Sequence, residues 1–332
     1  MELIGALVCV EPGRLELARR PVPSLAATDA LVRPRRVGIC GTDFHIYEGK
    51  HPYLNYPRVM GHELAVEVVE APLASGLAPG DMCVVNPYIS CGHCIACRAG
   101  KPNCCVEIAV LGVHQDGGMA DLMVLPVVNL ILTPGLTADE CATVEFLSIG
   151  AHAVRRGAVT GQDRVLVVGA GPIGLGVALF AGLSGAEVAV FDRDEERATA
   201  AQSISGAGVL SRADVDAATD GFDIVFDATG NQQSMEKGFD FVAHGGRYVL
   251  VSVIKGPITF GDPDFHRKEM TLGGSRNATN DDFGRVIAAI HDGLVPIGRL
   301  ITHRTTLEEA VKDIPRWASD RSGLIKALIE IS

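Results

Sequence analysis

Short apolar runs separated by turn residues fill the chain from its start to about residue 135. Segments such as ALVRPRRVGIC, AVEVVE and DMCVVNPY alternate with Pro and Gly turns. Apolar stretches of this length, bounded by turn residues, are typical of strands in a small barrel. The first part of the chain is therefore predicted to be a β-barrel-like domain. We expect the opening LIGALVCV to be a first strand rather than a signal sequence, because no basic segment precedes it.

Beyond about residue 140 the pattern changes to alternating strands and helices. This alternation predicts right-handed βαβ units on a parallel sheet. The uncharged run from Val165 to Ala186 has the length of a membrane helix, but its glycines and Pro172 predict a strand followed by a buried helix. The strand-like segments are VLVVGAG, AEVAVFD, FDIVFDATG and RYVLVSV.

The last part of the chain has a third pattern. After about Asn277 there are two helical segments, DDFGRVIAAIHDG and LEEAVKDIPRW, and then the strand-like GLIKALIEI. We expect this tail to pack against the first domain and to leave a cleft between domains for a ligand. The predicted fold class is α/β. The predicted boundaries are 1–145 for the first domain, 146–280 for the second domain and 281–332 for the returning segment.

Length and composition restrict the function. A chain of 332 residues is too long for one ordinary core, and 47% hydrophobic with 21% charged residues is a globular composition. The net charge of −11 repels phosphate backbones and anionic membranes, and no basic run offsets it. We therefore expect a small-molecule substrate, no nucleic-acid or membrane partner, and a cytoplasmic location.

A glycine-rich turn joins the strand RVLVV to the helix that follows it. Gly169 permits the tight turn, Gly171 lets the backbone approach a pyrophosphate, and Gly174 allows close helix–strand packing. Pro172 suits the first helical turn, where a missing N–H costs nothing. The alternative is a glycine-rich packing turn without a ligand. The residues predicted to bind the dinucleotide here are Gly169, Gly171, Pro172, Ile173 and Gly174.

Asp192 ends the next predicted strand, in AVFD. A carboxylate at this place accepts both ribose hydroxyls and repels a 2′-phosphate, which favours NAD over NADP. Arg193 and Arg197 could instead stack on adenine or tolerate the phosphate, so the strictness of this preference stays open.

Five of the nine cysteines lie in CGHCIACRAGKPNCC, residues 91 to 105. Four thiolates at this spacing make a closed tetrahedral zinc site with no open position for a substrate. A disulfide pair and a redox switch are the alternatives, and a reducing compartment disfavours the disulfides. Only one of the adjacent Cys104 and Cys105 can easily face a metal. The set with metal-ligand spacing is Cys91, Cys94, Cys97 and Cys105.

A second group of candidate ligands is more widely spread. Cys40 lies in GICGTDFH, His62 and Glu63 are adjacent, and Glu145 follows in an otherwise apolar run. A carboxylate buried in such a run needs a cation or a hydrogen-bonding partner. Each residue alone also has an ordinary explanation, as a buried thiol, a core histidine or a helix N-terminal charge.

The order of G-I-C-G-T-D-x-H, G-H-E, the cysteine cluster, E-x-L-S-x-G-x-H-A and G-A-G-P-I-G resembles the zinc-dependent medium-chain alcohol dehydrogenase family over essentially the whole chain. Within it, the chain is similar to the polyol and L-threonine dehydrogenase branch. LGVHQDGG, FHRKEMTLGGSRNAT and GRLITH resemble the starvation-sensing and L-galactonate-type sugar-acid dehydrogenases. The resemblance implies a GroES-like β-barrel catalytic domain, a Rossmann domain, two zinc ions and NAD per chain, and a homotetramer or homodimer.

The resemblance also assigns the ligands. It implies that Cys40, His62 and one or both of Glu63 and Glu145 bind the catalytic zinc, with Asp43 orienting His62. The family pattern selects Cys105 rather than Cys104 for the structural zinc.

The remaining roles follow family positions. Thr42 and His45 hold the positions of a proton relay, and Lys326 stands where the family supplies a cation for the pyrophosphate. Arg276 is predicted to bind a substrate carboxylate, with the pyrophosphate or Glu145 as its alternative partners. Two further candidates for lining the substrate site, each equally suited to surface or packing roles, are His114 and Tyr47.

The predicted activity is NAD-linked oxidation of a secondary alcohol of a polyol or an L-galactonate-like sugar acid to a ketone. L-threonine 3-dehydrogenase and a simple sorbitol-type polyol dehydrogenase are the alternatives within this class. A non-catalytic redox sensor that binds zinc and NAD is the alternative from another class. The exact substrate, its stereochemistry and the physiological direction stay open.

Overall fold

A computed structural model of the chain describes residues 3–51 and 54–332. The chain forms two compact units, one of Met1–Glu145 with Ile287–Ser332 and the other of Phe146–Val286. Among the described residues, no helix is long and apolar enough to cross a membrane.

The elements are numbered in chain order. The strands are β1 Leu3–Glu11, β2 Arg14–Pro21, β3 Asp29–Ile39, β4 Arg58–Val59, β5 Glu63–Glu70, β6 Met82–Val85, β7 Tyr88–Ile89, β8 Ala109–Val110, β9 Met123–Pro126, β10 Leu130–Leu132, β11 Arg164–Val168, β12 Glu187–Phe191, β13 Gly208–Val209, β14 Phe222–Asp227, β15 Val242–Leu250, β16 Thr271–Gly274, β17 Ile301–Thr306 and β18 Lys326–Glu330. The α-helices are α1 Gly41–Tyr47, α2 Ile95–Arg98, α3 Ala138–Cys141, α4 Val144–Arg156, α5 Pro172–Leu183, α6 Glu195–Ser205, α7 Arg212–Ala217, α8 Gln232–Lys237, α9 Asp262–Arg267, α10 Asn280–His291, α11 Ile297–Leu300 and α12 Ala310–Ser319.

The first unit is built from short, mostly antiparallel strands around one apolar core. Its largest sheet has the order β10-β6-β5-β3-β18-β17, with β9 also paired to β3, and a second sheet has the order β2-β1-β4. Buried side chains from both sheets form the core, among them Leu7, Val37 and Leu64. The opening LIGALVCV lies in β1, as the sequence predicted.

The second unit is a parallel sheet of order β13-β12-β11-β14-β15-β16. In the order of the chain this is 3-2-1-4-5-6, the order of doubly wound dinucleotide-binding sheets. The run from Val165 to Ala186 forms β11 and α5, which confirms the predicted strand and buried helix.

The C-terminal tail completes the first unit. Strand β18 pairs antiparallel with β3 and parallel with β17, so the strand-like GLIKALIEI lies inside the largest sheet, next to its edge strand β17. The second unit runs to Val286 rather than to the predicted boundary at residue 280. The reason is that the first half of α10 packs on this unit, where Asp282 contacts Arg155 on α4 and Arg285 contacts Phe180 on α5.

Candidate active site

Three candidate metal ligands meet in the first unit. Cys40 follows β3 and caps α1, while His62 and Glu63 stand at the start of β5. The antiparallel register of β3 and β5 places Gly38 opposite Glu63, which brings the two ligand-bearing segments side by side. The ligand atoms of Cys40, His62 and Glu63 all lie within 4.8 Å of one another. Residues far apart in sequence thus form one cluster, here called the Cys–His–Glu cluster.

Asp43 holds the backbone of this cluster together. Its buried carboxylate accepts hydrogen bonds from Cys40 N (2.9 Å) and from Gly61 N (3.2 Å). The expected contact with His62 is longer, because Asp43 Oδ1 lies 4.0 Å from His62 Nδ1. Burial raises the pKa of Asp43, and the charge of His62 opposes that shift. Asp43 therefore fixes the two ligand-bearing loops and does not hydrogen-bond the imidazole.

Lys326 differs from the expectation based on the family. Its Nζ lies 2.7 Å and 2.6 Å from the two carboxylate oxygens of Glu63 and 3.2 Å from Ile39 O. Lys326 is 1% exposed and Glu63 is fully buried. A cation surrounded in this way is a poor fit for the predicted pyrophosphate contact. Its observed position in β18 makes it the counter-ion of Glu63.

Gly38 makes room for that ion pair. A Cβ added at Gly38 would lie 2.1 Å from Glu63 Oε2. No side chain larger than hydrogen fits at this position of β3 while Glu63 keeps its place.

Glu145 stands in the first turn of α4 and is 3% exposed. Its Oε1 accepts a hydrogen bond from the Tyr88 hydroxyl. Burial raises the pKa of Glu145 to about 7, while the charge of His62 lowers it, that of Glu63 raises it and the Tyr88 hydrogen bond lowers it. Glu145 is thus close enough to His62 and Glu63 to interact with both, although it lies outside the group of ligand atoms within 4.8 Å.

The electrostatics of His62 fit a metal site. Burial alone would lower its pKa, but Cys40, Asp43 and Glu145 raise it well above the ordinary value. The ring is 6% exposed, and its Nδ1 has no hydrogen-bond partner within residues 3–51 and 54–332. A buried imidazole surrounded by anionic groups needs a proton or a cation. Sulfur, imidazole and carboxylate donors together suit Zn²⁺.

The cysteine-rich loop forms a separate lobe between β7 and β8. The sulfur atoms of Cys91, Cys94, Cys97 and Cys105 all lie within 4.8 Å of one another. Backbone N–H groups of Val106 and Cys97 lower the pKa of Cys94 to about 6, which favours a thiolate ligand. The nine cysteines all lie in the described part of the chain and all are free. Four sulfur donors at this distance fit a closed zinc site.

Exchange of single cysteines tests the predicted ligand set of this lobe. Cys105 is buried with its sulfur in the cluster, whereas Cys104 is exposed. We expect Cys105→Ala to lose about one zinc per chain and to lower the melting temperature, because a three-sulfur site binds zinc far more weakly. The matched variant Cys104→Ala should keep the zinc content and melting temperature of the wild type. Metal analysis by mass spectrometry measures the zinc content of both variants, and thermal unfolding measures their melting temperatures. A loss of zinc in Cys104→Ala alone would reverse the assignment.

The glycine turn of the second unit has the geometry of a dinucleotide site. Gly169 follows β11 with φ +97°, a conformation that side chains rarely adopt. A Cβ at Gly174 would lie 1.8 Å from Gly169 O, whereas a Cβ at Gly171 would meet nothing within 4 Å. Pro172 begins α5, with Gly171 as its N-cap and Ile173 next along the helix. The turn thus leaves open space at Gly171, beside the N-terminus of a helix, where a pyrophosphate fits.

Asp192 follows β12 and is anchored by the backbone. Its Oδ2 accepts from Ala170 N (2.7 Å) and its Oδ1 from Asp194 N (2.9 Å). The carboxylate therefore lies beside the glycine turn, as a ribose-binding residue requires. Arg193 is exposed next to it.

The residues predicted for proton transfer and substrate binding lie outside the Cys–His–Glu cluster. Thr42 Oγ1 lies 3.7 Å from Cys40 Sγ, and His45 is exposed on α1, one turn further on. Tyr47 packs against the core of the first unit, and the ring of exposed His114 accepts a hydrogen bond from Val110 N. Arg276 is exposed in the second unit, just after β16. The roles of these residues stay predictions.

Two residues of the site had no sequence signal strong enough to identify them. Tyr88 was part of an apolar segment before the cysteines, and only its hydroxyl distinguishes it from a core residue. Gly38 stood between two apolar residues in VGIC. A glycine inside a strand is itself a sign of close approach by another group, and this sign could have indicated Gly38.

Comparison with known proteins relates both parts of the chain to alcohol dehydrogenases. Residues 26–135 match the family model "Alcohol dehydrogenase GroES-like domain", and residues 172–292 match "Zinc-binding dehydrogenase". The chain is 39% identical to L-galactonate-5-dehydrogenase of Escherichia coli K12, over 99% of both chains. It is 31% identical to the starvation-sensing protein RspB of the same strain, over 98% of this chain and 99% of RspB. The crystal structure of RspB from E. coli CFT073 with NADH superposes with a TM-score of 0.92 at 30% identity, over the full length of both chains.

A dinucleotide-binding sheet together with a Cys–His–Glu cluster defines a zinc-binding dehydrogenase. Since both family models match and the similarity extends over the whole chain, the protein belongs to the medium-chain zinc-dependent alcohol dehydrogenase family. This confirms the predicted fold class, a GroES-like barrel with a Rossmann sheet, and the predicted cofactors zinc and NAD.

Proposed function

We propose that this protein is a zinc-dependent dehydrogenase that uses NAD to oxidise a secondary alcohol of a sugar acid to a ketone. The observation that carries the proposal is the Cys–His–Glu cluster, whose ligand atoms lie within 4.8 Å of one another in a chain that also has the dinucleotide turn. The 39% identity to a dehydrogenase named for L-galactonate supports a sugar acid as the substrate class.

The residues of the first unit have distinct tasks in this reaction. When bound, zinc supplies a Lewis acid for the substrate hydroxyl, and NAD supplies the hydride acceptor. Cys40 and His62 would hold the metal, and Lys326 holds Glu63 in place next to these two residues. The alcohol carbon gives up a hydride and the alcohol oxygen gives up a proton, which leaves a ketone, NADH and a proton for the solvent.

The two residues assigned to proton transfer are both on α1. Thr42 Oγ1 lies 3.7 Å from Cys40 Sγ, one of the candidate metal ligands. His45 is exposed three residues later on the same helix, so its ring can pass a proton to water. We assign the hydroxyl of Thr42 to the first transfer and the imidazole of His45 to the second.

Recognition of the acid group is assigned to Arg276. A guanidinium binds a carboxylate through two parallel hydrogen bonds, which a neutral polyol cannot match. Arg276 therefore supplies a preference for acids over polyols of the same length.

The test is a substrate panel with zinc-loaded protein. NADH formation is followed with aldonates including L-galactonate, with sorbitol-type polyols and with L-threonine, each with NAD and with NADP. We expect aldonates to give kcat/KM values at least about 10-fold above polyols, which corresponds to about 1.4 kcal/mol for one charged contact. NAD should be preferred over NADP, because the Asp192 carboxylate repels a 2′-phosphate.

The variant Arg276→Met keeps an unbranched side chain and removes its charge. It should lower kcat/KM for aldonates and leave the values for polyols near those of the wild type. Equal losses on both substrate classes would contradict the role of Arg276. Turnover of L-threonine alone would replace the proposed substrate class, and NAD binding without turnover on the whole panel would indicate the sensor instead.

A further inference from the structure

Tyr88 links the cysteine lobe to the buried carboxylate of Glu145. It is the first residue of β7, immediately before the lobe, and its hydroxyl donates to Glu145 Oε1. The side chain of Tyr88 is 8% exposed and that of Glu145 is 3% exposed. The contact joins residues that are 57 positions apart in the chain.

The position of Tyr88 is fixed from both sides. Strand β7 pairs with β8, with Tyr88 opposite Val110, so the two ends of the cysteine lobe are tied together at this residue. Tyr88 N donates to Asn86 Oδ1 at 3.1 Å, and the Asn86 backbone exchanges hydrogen bonds with Asn129. A phenol on such a support is a rigid donor, since only two side-chain torsions remain and both are enclosed.

Within residues 3–51 and 54–332, no lysine or arginine forms an ion pair with Glu145 as Lys326 does with Glu63. Glu63 is held at both oxygens by Lys326. The carboxylate of Glu145 sits at the end of a flexible side chain in the first turn of α4, beside a second buried carboxylate. A buried carboxylate needs a hydrogen-bond donor or a cation to replace its lost hydration. The Tyr88 hydroxyl supplies the donor that determines its orientation.

We propose that Tyr88 is a positioning residue, which holds the Glu145 carboxylate in one orientation beside the Cys–His–Glu cluster and thereby sets how tightly and in what geometry the metal is bound there. This inference rests on the proposed zinc-dependent function. It adds that the aromatic residue at the base of the cysteine lobe controls the catalytic site through one hydrogen bond.

The variant Tyr88→Phe removes one oxygen and keeps the ring. We expect the dissociation constant for Zn²⁺ at the catalytic site to rise about 10- to 100-fold, as for loss of a group that orients a metal-binding side chain. The visible absorption of the Co²⁺-substituted enzyme should change, because the ligand geometry changes. With saturating zinc, kcat should fall while KM for NAD stays unchanged, since the dinucleotide turn lies in the other unit.

Tyr248→Phe is the matched control. Tyr248 is fully buried in β15 of the second unit and donates its hydroxyl to Met235 O at 2.9 Å. The control loses a buried tyrosine hydrogen bond of the same kind, but away from the metal. Its Co²⁺ spectrum and zinc affinity should match those of the wild type.

A double-mutant cycle separates positioning from general destabilisation. If Tyr88 acts through Glu145, Tyr88→Phe should weaken zinc binding about 10-fold or more in the wild-type protein. In the Glu145→Gln background the same substitution should leave zinc affinity unchanged. An equal change in both backgrounds, or an unchanged Co²⁺ spectrum in Tyr88→Phe, would overturn the proposal.

Tyrosine NMR tests the same contact in the protein without altering Tyr88. With ¹³Cζ-labelled tyrosine, zinc loading should shift the Tyr88 resonance in the wild type, and the shift should be smaller in Glu145→Gln. A Tyr88 signal with the same shift in both proteins would count against the inference. The zinc-affinity, Co²⁺-absorption and NMR readouts use no substrate, so a failed substrate panel would refute the proposed function and leave the metal-site result standing.

Discussion

Cys40→Ser is expected to lower kcat/KM for NAD-linked oxidation at least about 10³-fold. A serine hydroxyl stays protonated at neutral pH and is a far weaker zinc ligand than a thiolate. Loss of the Lewis acid removes several kcal/mol of stabilisation from the transition state, and about 4 kcal/mol corresponds to 10³ in rate. Steady-state kinetics and metal analysis on the same preparation measure the result.

Cys104→Ser is the control for this prediction. It makes the same chemical change at an exposed sulfur outside both ligand clusters, so activity and zinc content should stay near those of the wild type. The expected metal loss in Cys40→Ser is about one zinc per chain, with the four-cysteine lobe still loaded. Full turnover in a Cys40→Ser protein that lacks this zinc would refute zinc-dependent catalysis.

Lys326→Met should lower the free energy of unfolding by about 3 to 5 kcal/mol, the usual cost of leaving a buried charge unpaired. The Lys326 ammonium lies within 2.7 Å of both oxygens of Glu63, and both side chains are almost completely buried. Methionine fills a similar volume but cannot compensate the carboxylate. Urea unfolding followed by circular dichroism measures the difference.

Two further variants show whether the charge is responsible. Glu63→Gln combined with Lys326→Met removes both charges and should recover most of the lost stability, although a candidate metal ligand is then missing. Lys237→Met breaks the exposed ion pair with Asp240 and should change stability by less than about 1 kcal/mol. A loss in Lys326→Met as small as that in Lys237→Met would show that the buried pair does not stabilise the fold.

The local motifs were predictable because their function depends on spacing along the chain. The glycines at 169, 171 and 174 bracket one turn, and the spacing of Cys91, Cys94 and Cys97 brings three sulfur atoms into one loop. The change from strand-rich to alternating pattern near residue 140 likewise separated the two types of sheet.

The observed neighbour of Lys326 could not be predicted because it depends on distant strands. Its place in an apolar run indicated a buried strand, yet a family position suggested a phosphate contact. Only the pairing of β18 with β3, and of β3 with β5, shows that Lys326 lies beside Glu63. Asp43 is a similar case, since its acceptors are satisfied by backbone N–H groups of Cys40 and Gly61 and not by the imidazole.

The sequence by itself determined that the chain has a strand-rich part, a glycine turn followed by Asp192, and a cysteine cluster with metal-ligand spacing, because these properties follow from residue type and local spacing. The family resemblance assigned zinc to the second set of candidate ligands, Cys40, His62, Glu63 and Glu145. The tertiary structure alone decided the partners within the buried site: Lys326 for Glu63 and Tyr88 for Glu145. The physical reason is that a buried charge or carboxylate takes whichever donor the packed strands bring within hydrogen-bond distance, and that neighbour is set by sheet register and not by distance along the chain.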